Sequence, residues 1–148
     1  MAAPVTQKFE QMTLEISEDG GTIWKKICGI VGVTVTRSTN YDSTEVPADC
    51  DDESLALVVE KQPRSKEVSV SGEGSWAQSS HELVMDWFYG GTTLKCRIGN
   101  QNAASGDTQY ETGDAYLSSL TNQRTKGQKV TASVQIDFDG LPTRTAMA

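Results

Sequence analysis

The alternation of apolar and polar residues along much of the chain constrains its fold more than any other feature. The clearest case is a stretch near the end, in which the apolar positions are Val130, Ala132, Val134, Ile136 and Phe138. A period of two places one set of side chains on a buried sheet face and the other set in water. The sequence therefore predicts a mainly β fold.

Two further strand patterns lie near the N-terminus. Residues 12–16 alternate, and the turn-forming stretch SEDGGT separates them from the apolar residues Ile23, Trp24 and Ile27. This order predicts an N-terminal hairpin. Residues 31–35 alternate valine with glycine and threonine, which predicts a β-branched strand that ends at Arg37.

A polar stretch, residues 37–53, then interrupts the alternation. It contains turn formers and acids but almost no apolar periodicity. Connections longer than about 12–15 residues are usually functional or disordered. We therefore expect a long polar loop, after which strand patterns resume on either side of Pro63.

The stretch SSHELVMDWFYGG predicts one short helix over about residues 80–89. Ser79 and Glu82 have the spacing of a capping box, and the two glycines allow the chain to stop and turn. Three apolar residues are expected on one helix face: Val84, Trp87 and Phe88. A helix this short is unstable alone in water, so we expect that face to pack on a sheet.

His81 is the only histidine and precedes Glu82, which suggests an H-E-x-x-H zinc site. Met85 occupies the position of the second histidine, so the pair of ligands is missing. A nucleophilic Ser79 or Ser80 is equally poorly supported, because neighbouring residues on a helix do not face each other. The sequence predicts no catalytic residues.

The acidic run in the polar stretch is the best metal candidate. It comprises Asp49, Cys50, Asp51, Asp52 and Glu53. Clustered carboxylates suit calcium or magnesium, but the D-x-D-x-D-G spacing is absent. Acidic runs in loops are usually solvated charge, so we expect neither a metal nor a cofactor.

Length and charge limit the remaining classes. The 148 residues suit a single domain spanning 1–148, and a net charge of -7 has the wrong sign for gripping nucleic acid by its phosphates. No stretch has the length of a signal-peptide core or membrane span, so we expect a soluble cytosolic product without membrane insertion. Three widely spaced cysteines, Cys28, Cys50 and Cys96, favour reduced structural thiols.

The order of these elements resembles the tail tube (major tail) proteins of long-tailed bacteriophages, or of a phage-derived particle. The stretches that carry the resemblance are ELVMDWFYGGTTLKCRI and GDAYLSSLTNQRTKGQKVTASVQIDFDG. In the first, a helix runs straight into a strand; in the second, a turn precedes an alternating strand and a terminal glycine. With the hairpin and the long loop, the likeness extends from Phe9 to Gly140.

The resemblance implies a β-sandwich or barrel of two packed antiparallel sheets with a flanking helix. It implies hexameric rings that stack into a tube, through which DNA passes without specific binding. Tape-measure, tail-tip and terminator proteins would be further partners. The subunit would assemble in the host cytoplasm and end in the virion tail. We expect residues 1–8 to form an N-terminal arm and residues 141–148 to be loosely held.

The same resemblance makes the polar stretch the assembly loop between subunits. The residues expected to make these contacts are Arg37, Asn40, Tyr41, Asp42, Glu45, Val46, Pro47, Asp49, Asp51 and Asp52. Among them, composition favours Tyr41, Val46 and Pro47 as the apolar contacts.

Two other functions fit the sequence. The chain could be a monomeric β-sandwich module that binds carbohydrate or protein, with Trp24 or Trp76 as a stacking platform, or it could be a terminator-like tail protein. The binding module predicts a stable monomer with a ligand, whereas the tube subunit predicts rings or filaments.

Overall fold

The computed structural model describes residues 3–4, 6–27, 29–78 and 81–147, without the side chain of Phe9. A short helical turn spans Phe9–Gln11, and one α-helix, α1, spans His81–Gly90. The strands are β1 (Met12–Ser17), β2 (Lys25–Lys26), β3 (Ile30–Val46), β4 (Val58–Ser75), β5 (Leu94–Asn100), β6 (Thr108–Gln123), β7 (Thr131–Phe138) and β8 (Thr143–Ala146).

The fold is mainly β with one short helix, as predicted, but its strands form a single antiparallel sheet. Their order is β2-β1-β5-β6-β7-β4-β3, and β8 also pairs with β6. Two separately packed sheets were expected, and this part of the prediction requires correction. The reason is the length of β6, whose first half pairs with β5 and whose second half pairs with β7.

The core shows that this one sheet curls. Four residues that are almost completely buried come from four different strands: Ile16, Val70, Cys96 and Ile136. All four belong to one cluster, which includes strands from both ends of the sheet. The two halves of the sheet therefore face each other across a shared core, and α1 covers one side.

The helix occupies the predicted position, and its buried face is centred on Trp87. Val84 and Trp87 are buried, and the indole N–H of Trp87 donates to the Thr92 carbonyl at 3.1 Å. Phe88, expected on the same face, is 43% exposed. Because successive helical residues are about 100° apart, Phe88 turns away from Trp87, whereas Leu83 packs against the core.

The predicted capping box lies outside the described residues, because it depends on Ser79. Ser80, the other serine considered as a nucleophile, lies outside them as well.

The N-terminal hairpin is confirmed by pairing between β1 and β2. Its turn is held by Asp19, whose carboxylate accepts the N–H groups of Ile23 at 2.9 Å and Thr22 at 3.1 Å. The Ser17 hydroxyl donates to the same oxygen at 2.6 Å. The bond from Ile23, followed by that from Ser17, lowers the pKa of the Asp19 carboxyl.

The predicted polar loop over residues 37–53 is wrong for most of its length. Strand β3 does not end at Arg37 but continues to Val46, and it pairs with β4 throughout. Only residues 47–57 connect the two strands. Pro63 lies within β4, next to a bulge at Arg64 of the same strand, and so does not interrupt the strand.

The C-terminal segment was expected to be loosely held over residues 141–148, but its residues 143–146 form β8. β8 pairs with the start of β6, and the N–H of Met147 donates to the Asp107 carbonyl at 2.7 Å. The pairing of β6 with β7 extends only from residue 115 to residue 123. The start of β6 therefore has a free edge that β8 can join.

Over the described part of the chain, no helix is long and apolar enough to span a membrane.

Candidate assembly surface

The β3–β4 hairpin extends beyond the sheet as a two-stranded arm. We define the arm as residues 37–67, because β4 pairs with β7 only from Ser69 onwards. Its paired strands cover about 30 Å at roughly 3.3 Å per residue. Every residue from Pro47 to Glu67 is exposed. An isolated two-stranded ribbon is marginally stable in water, so a partner surface would stabilise the arm.

Polar contacts within the arm keep its strands in register. The Asn40 side-chain amide donates to the Ser65 hydroxyl at 3.0 Å and to the Glu67 carboxylate at 3.2 Å. Arg64 and Asp42 form an exposed ion pair at 3.5 Å. Exposed pairs of this kind contribute little stability, which agrees with an arm that is stabilised elsewhere.

An ion pair fixes the base of the arm to the body. Arg37 donates two hydrogen bonds to Glu111 on β6, one of them from Nε to Oε2 at 3.2 Å. The Glu111 side chain is only 15% exposed. The hydrogen bonds to Glu111 raise the pKa of the Arg37 guanidinium. This contact connects β3 to β6, which are not neighbours in the sheet, and so restrains the direction of the arm.

The end of the arm exposes apolar side chains. The tip patch consists of Leu55, Leu57, Val58 and Val59, each between 48% and 55% exposed. Tyr41 is exposed to a similar degree on the facing strand. Clustered apolar exposure marks an interaction site more often than an isolated exposed leucine does.

The acids of the tip shape its turn. Asp49 accepts the Asp51 N–H at 2.9 Å, and Asp52 accepts the Ser54 N–H at 3.0 Å. Two hydrogen bonds from Ser54 lower the pKa of the Asp52 carboxyl. The bond from the Ser54 hydroxyl has the larger effect, and the bond from its N–H has the smaller one. Among the described residues, no group of three or more His, Cys, Asp or Glu side chains is arranged to hold a metal ion.

The residues predicted to make subunit contacts all lie on the arm. Arg37 is at its base; the residues along β3 are Asn40, Tyr41, Asp42, Glu45 and Val46; those in the turn are Pro47, Asp49, Asp51 and Asp52. The tip patch was not predicted from the sequence, because the stretch LALVVEK, residues 55–61, was interpreted only as a strand. Its position directly after an acidic run was the signal that could have identified it.

Part of the sheet has two open edges. This part consists of four neighbouring strands: residues 116–123 of β6, β7, residues 69–75 of β4 and residues 30–36 of β3. Among the described strands, β3 pairs only with β4, and β5 pairs with β6 only up to Ala115. Both outer strands of this four-stranded part therefore have backbone groups available for pairing.

The outer face of the same four strands is polar and carries no positive charge. On β4, Ser69, Ser71 and Glu73 alternate with buried residues, and β7 continues the pattern with Thr131 and Ser133. The four segments contain two acids, Glu73 and Asp137, and neither lysine nor arginine. Such a face is hydrated and weakly negative.

The two tryptophans considered as stacking platforms already have partners. The Arg97 guanidinium lies 4.4 Å from the ring centroid of Trp24 and 4.3 Å from that of Tyr110. Trp76 contacts His81 edge-on, with centroids 4.9 Å apart. His81 is itself 3.5 Å from Glu82 and is involved in packing.

Two cysteines differ in their surroundings. Cys96 is completely buried, and burial raises the pKa of its thiol to about 12. The thiol therefore stays protonated and unreactive. Cys50 is exposed at the turn of the arm, and Cys28 lies outside the described residues.

One comparison with known proteins identifies a family, and a second identifies similar folds. The family described as phage tail tube protein matches residues 6–144. No curated protein matches the chain.

Solved structures of three tails or tail-bearing particles are among those similar to it. The tail of an empty gene transfer agent particle, refined with C6 symmetry, has a TM-score of 0.72 at 13% identity, covering 95% of this chain and 100% of that one. The virion of the native gene transfer agent particle has a TM-score of 0.68 at 12% identity, covering 95% of this chain and 100% of that one. The SPP1 tail tube has a TM-score of 0.67 at 13% identity, covering 96% of this chain and 81% of that one.

Proposed function

The chain belongs to the phage tail tube protein family, and on that premise we propose that six copies close into a ring and that rings stack around a channel for DNA. The family is structural, and the chain is a component of the virion tail and not an enzyme. The C6 symmetry of the gene transfer agent tail supports the number six.

The open edges of β3 and β6 carry the proposal of a ring. These strands lie on opposite sides of the four-stranded part and run antiparallel to each other. The β3 edge of one copy can therefore pair with the β6 edge of the next and continue the antiparallel sheet. Repetition of one such heterologous contact closes a ring and leaves no free edge.

The face without basic residues suits the channel wall. Hydroxyl and amide groups hydrate it, and Glu73 and Asp137 add negative charge from every copy. DNA affinity depends mainly on phosphate contacts with Lys and Arg. A wall of this composition would allow DNA to pass without binding it.

The arm is proposed to reach a neighbouring copy and bury its tip patch there. The ten residues predicted from the sequence lie along it, with Arg37 restraining its direction through Glu111. At the two ends of a tube, the last contacts would remain free for terminator and tail-tip proteins, with a tape-measure protein in the channel. Assembly would take place in the host cytoplasm.

Hydrogen–deuterium exchange tests the edge pairing. The amides of residues 30–36 and 116–123 that face away from β4 and β7 should exchange rapidly in the monomer. In assembled particles they should become at least about tenfold slower, because they gain strand partners. Residues 101–107, in the β5–β6 loop, are the internal comparison. Unchanged exchange at both edges after assembly would rule out this pairing.

A further inference from the structure

The chain carries opposite charges at two separate exposed surfaces. The turn of the arm, residues 47–57, contains four acids and no basic residue: Asp49, Asp51, Asp52 and Glu53. The turn between β6 and β7, residues 124–130, contains three basic residues and no acid: Arg124, Lys126 and Lys129. All seven charged residues are exposed.

The two turns lie at opposite ends of β4. Val58 at one end pairs with Val46 beside the arm turn, and Ser75 at the other pairs with Thr131 beside the β6–β7 turn. Over the 18 residues of this strand, the separation along the strand is about 56 Å at roughly 3.3 Å per residue. One copy cannot bring the two surfaces together, so they can meet only between copies.

Apolar residues accompany the charge at both ends. The tip patch adjoins the acids, and Val31 and Val130 are 66% and 37% exposed beside the basic turn. We call Val31, Arg124, Lys126, Lys129 and Val130 the turn surface. An apolar centre with complementary charges around it is the usual composition of a specific interface.

We propose that the tip of the arm of one copy docks on the turn surface of a second copy. The apolar patch would be buried against Val31 and Val130, and the acids would face the three basic side chains. Each copy then offers one tip and one turn surface, so the contact is heterologous and can repeat without limit. The proposal rests on the assembled tube and assigns the receiving surface for the arm.

Charge reversal with rescue tests the electrostatic part. The variant Arg124→Glu/Lys126→Glu/Lys129→Glu should raise the concentration needed for assembly at least about tenfold, because like charges then meet. Asp49→Lys/Asp51→Lys/Glu53→Lys should do the same. All six changes in one chain restore the wild-type net charge and the complementarity, and assembly should return. Failure of this combined variant to assemble, while both parents remain folded, would overturn the proposal.

Crosslinking tests the contact itself and uses the native Cys50 in the turn of the arm. A second thiol at Gln128→Cys should give, on mild oxidation, a ladder of covalent oligomers, because each copy is linked through both ends. Cys50→Ser added to this variant should abolish the ladder. Ser105→Cys, in the β5–β6 loop, is the matched control and should give none. No ladder from Gln128→Cys, or an equal ladder from Ser105→Cys, would refute the docking.

The crosslinks also separate this contact from the proposed ring. Oxidation over a range of protein concentrations detects end-to-end docking even when closed rings do not form. A ladder without rings would support the docking and refute the ring proposal. Rings without the ladder would support the ring proposal and refute the docking. The absence of rings and of the ladder would refute both proposals.

Discussion

At the scale of single residues, Arg97 shows how the outer surface of the curled sheet is held. Its guanidinium lies between the rings of Trp24 and Tyr110, and it bonds to Glu15 at 3.3 Å. Cation–π contacts contribute about 0.5–1 kcal/mol each at exposed sites. The stack links the turn of the first hairpin to β5 and β6. It also removes Trp24 as a free platform for a sugar.

Gly99→Ala should disrupt this stack. A Cβ at Gly99 would collide with the Thr13 hydroxyl and lie 2.8 Å from the Tyr110 ring. Overpacking of this kind costs about 1–3 kcal/mol, measurable as a lower free energy of unfolding in urea. Gly90→Ala is the control, since its nearest neighbour would be Thr92 Oγ1 at 3.8 Å. Equal stability of the two variants would show that Tyr110 can move freely.

At the scale of elements, local sequence patterns predicted the strands and the helix that have one buried face. β7 alternates because one side packs in the core, and α1 has a helical apolar face and two closing glycines. The β3 strand of the arm and β8 were missed for the corresponding reason. Both faces of these strands are largely exposed, so their sequences carry no period-two pattern. Only long-range pairing defines them.

The two aromatic residues of α1 that were expected on one face should differ in their effect on stability. Trp87→Ala removes a buried ring and should lower the free energy of unfolding by about 3–5 kcal/mol. Phe88→Ala alters a side chain that is largely in solvent and should cost less than about 1 kcal/mol. Urea denaturation of the two variants measures the difference. A larger loss for Phe88→Ala would contradict the position of the helix.

Shortening the arm should separate folding from assembly. Replacing residues 41–64 by Asn-Gly retains the Asn40–Ser65 pair and closes the hairpin with a favoured two-residue turn. Because the removed residues contribute nothing to the core, the melting temperature should stay within a few degrees, on the order of a surface change. Electron microscopy should show no tubes. Asp42→Ala/Arg64→Ala is the control and should still assemble, whereas tubes from the shortened chain would show that the arm is dispensable.

At the scale of the whole molecule, the unsatisfied features lie in three places. They are the two open edges of the four-stranded part, its polar face without basic residues, and an arm with an apolar tip. A monomer in solution leaves the edges without strand partners, the polar face in solvent and the apolar tip exposed. The proposed ring would pair the edges and place the polar face on the channel, and the proposed stacking would bury the tip.

Negative-stain electron microscopy over a range of concentrations, with particle masses from light scattering, tests ring formation most directly. We expect hollow particles of sixfold symmetry, with a mass near six times the 16.0 kDa of one chain, and stacks of them at higher concentration. Monomers at every concentration, with no ring or tube, would contradict the proposal that this chain closes into rings through its own sheet edges.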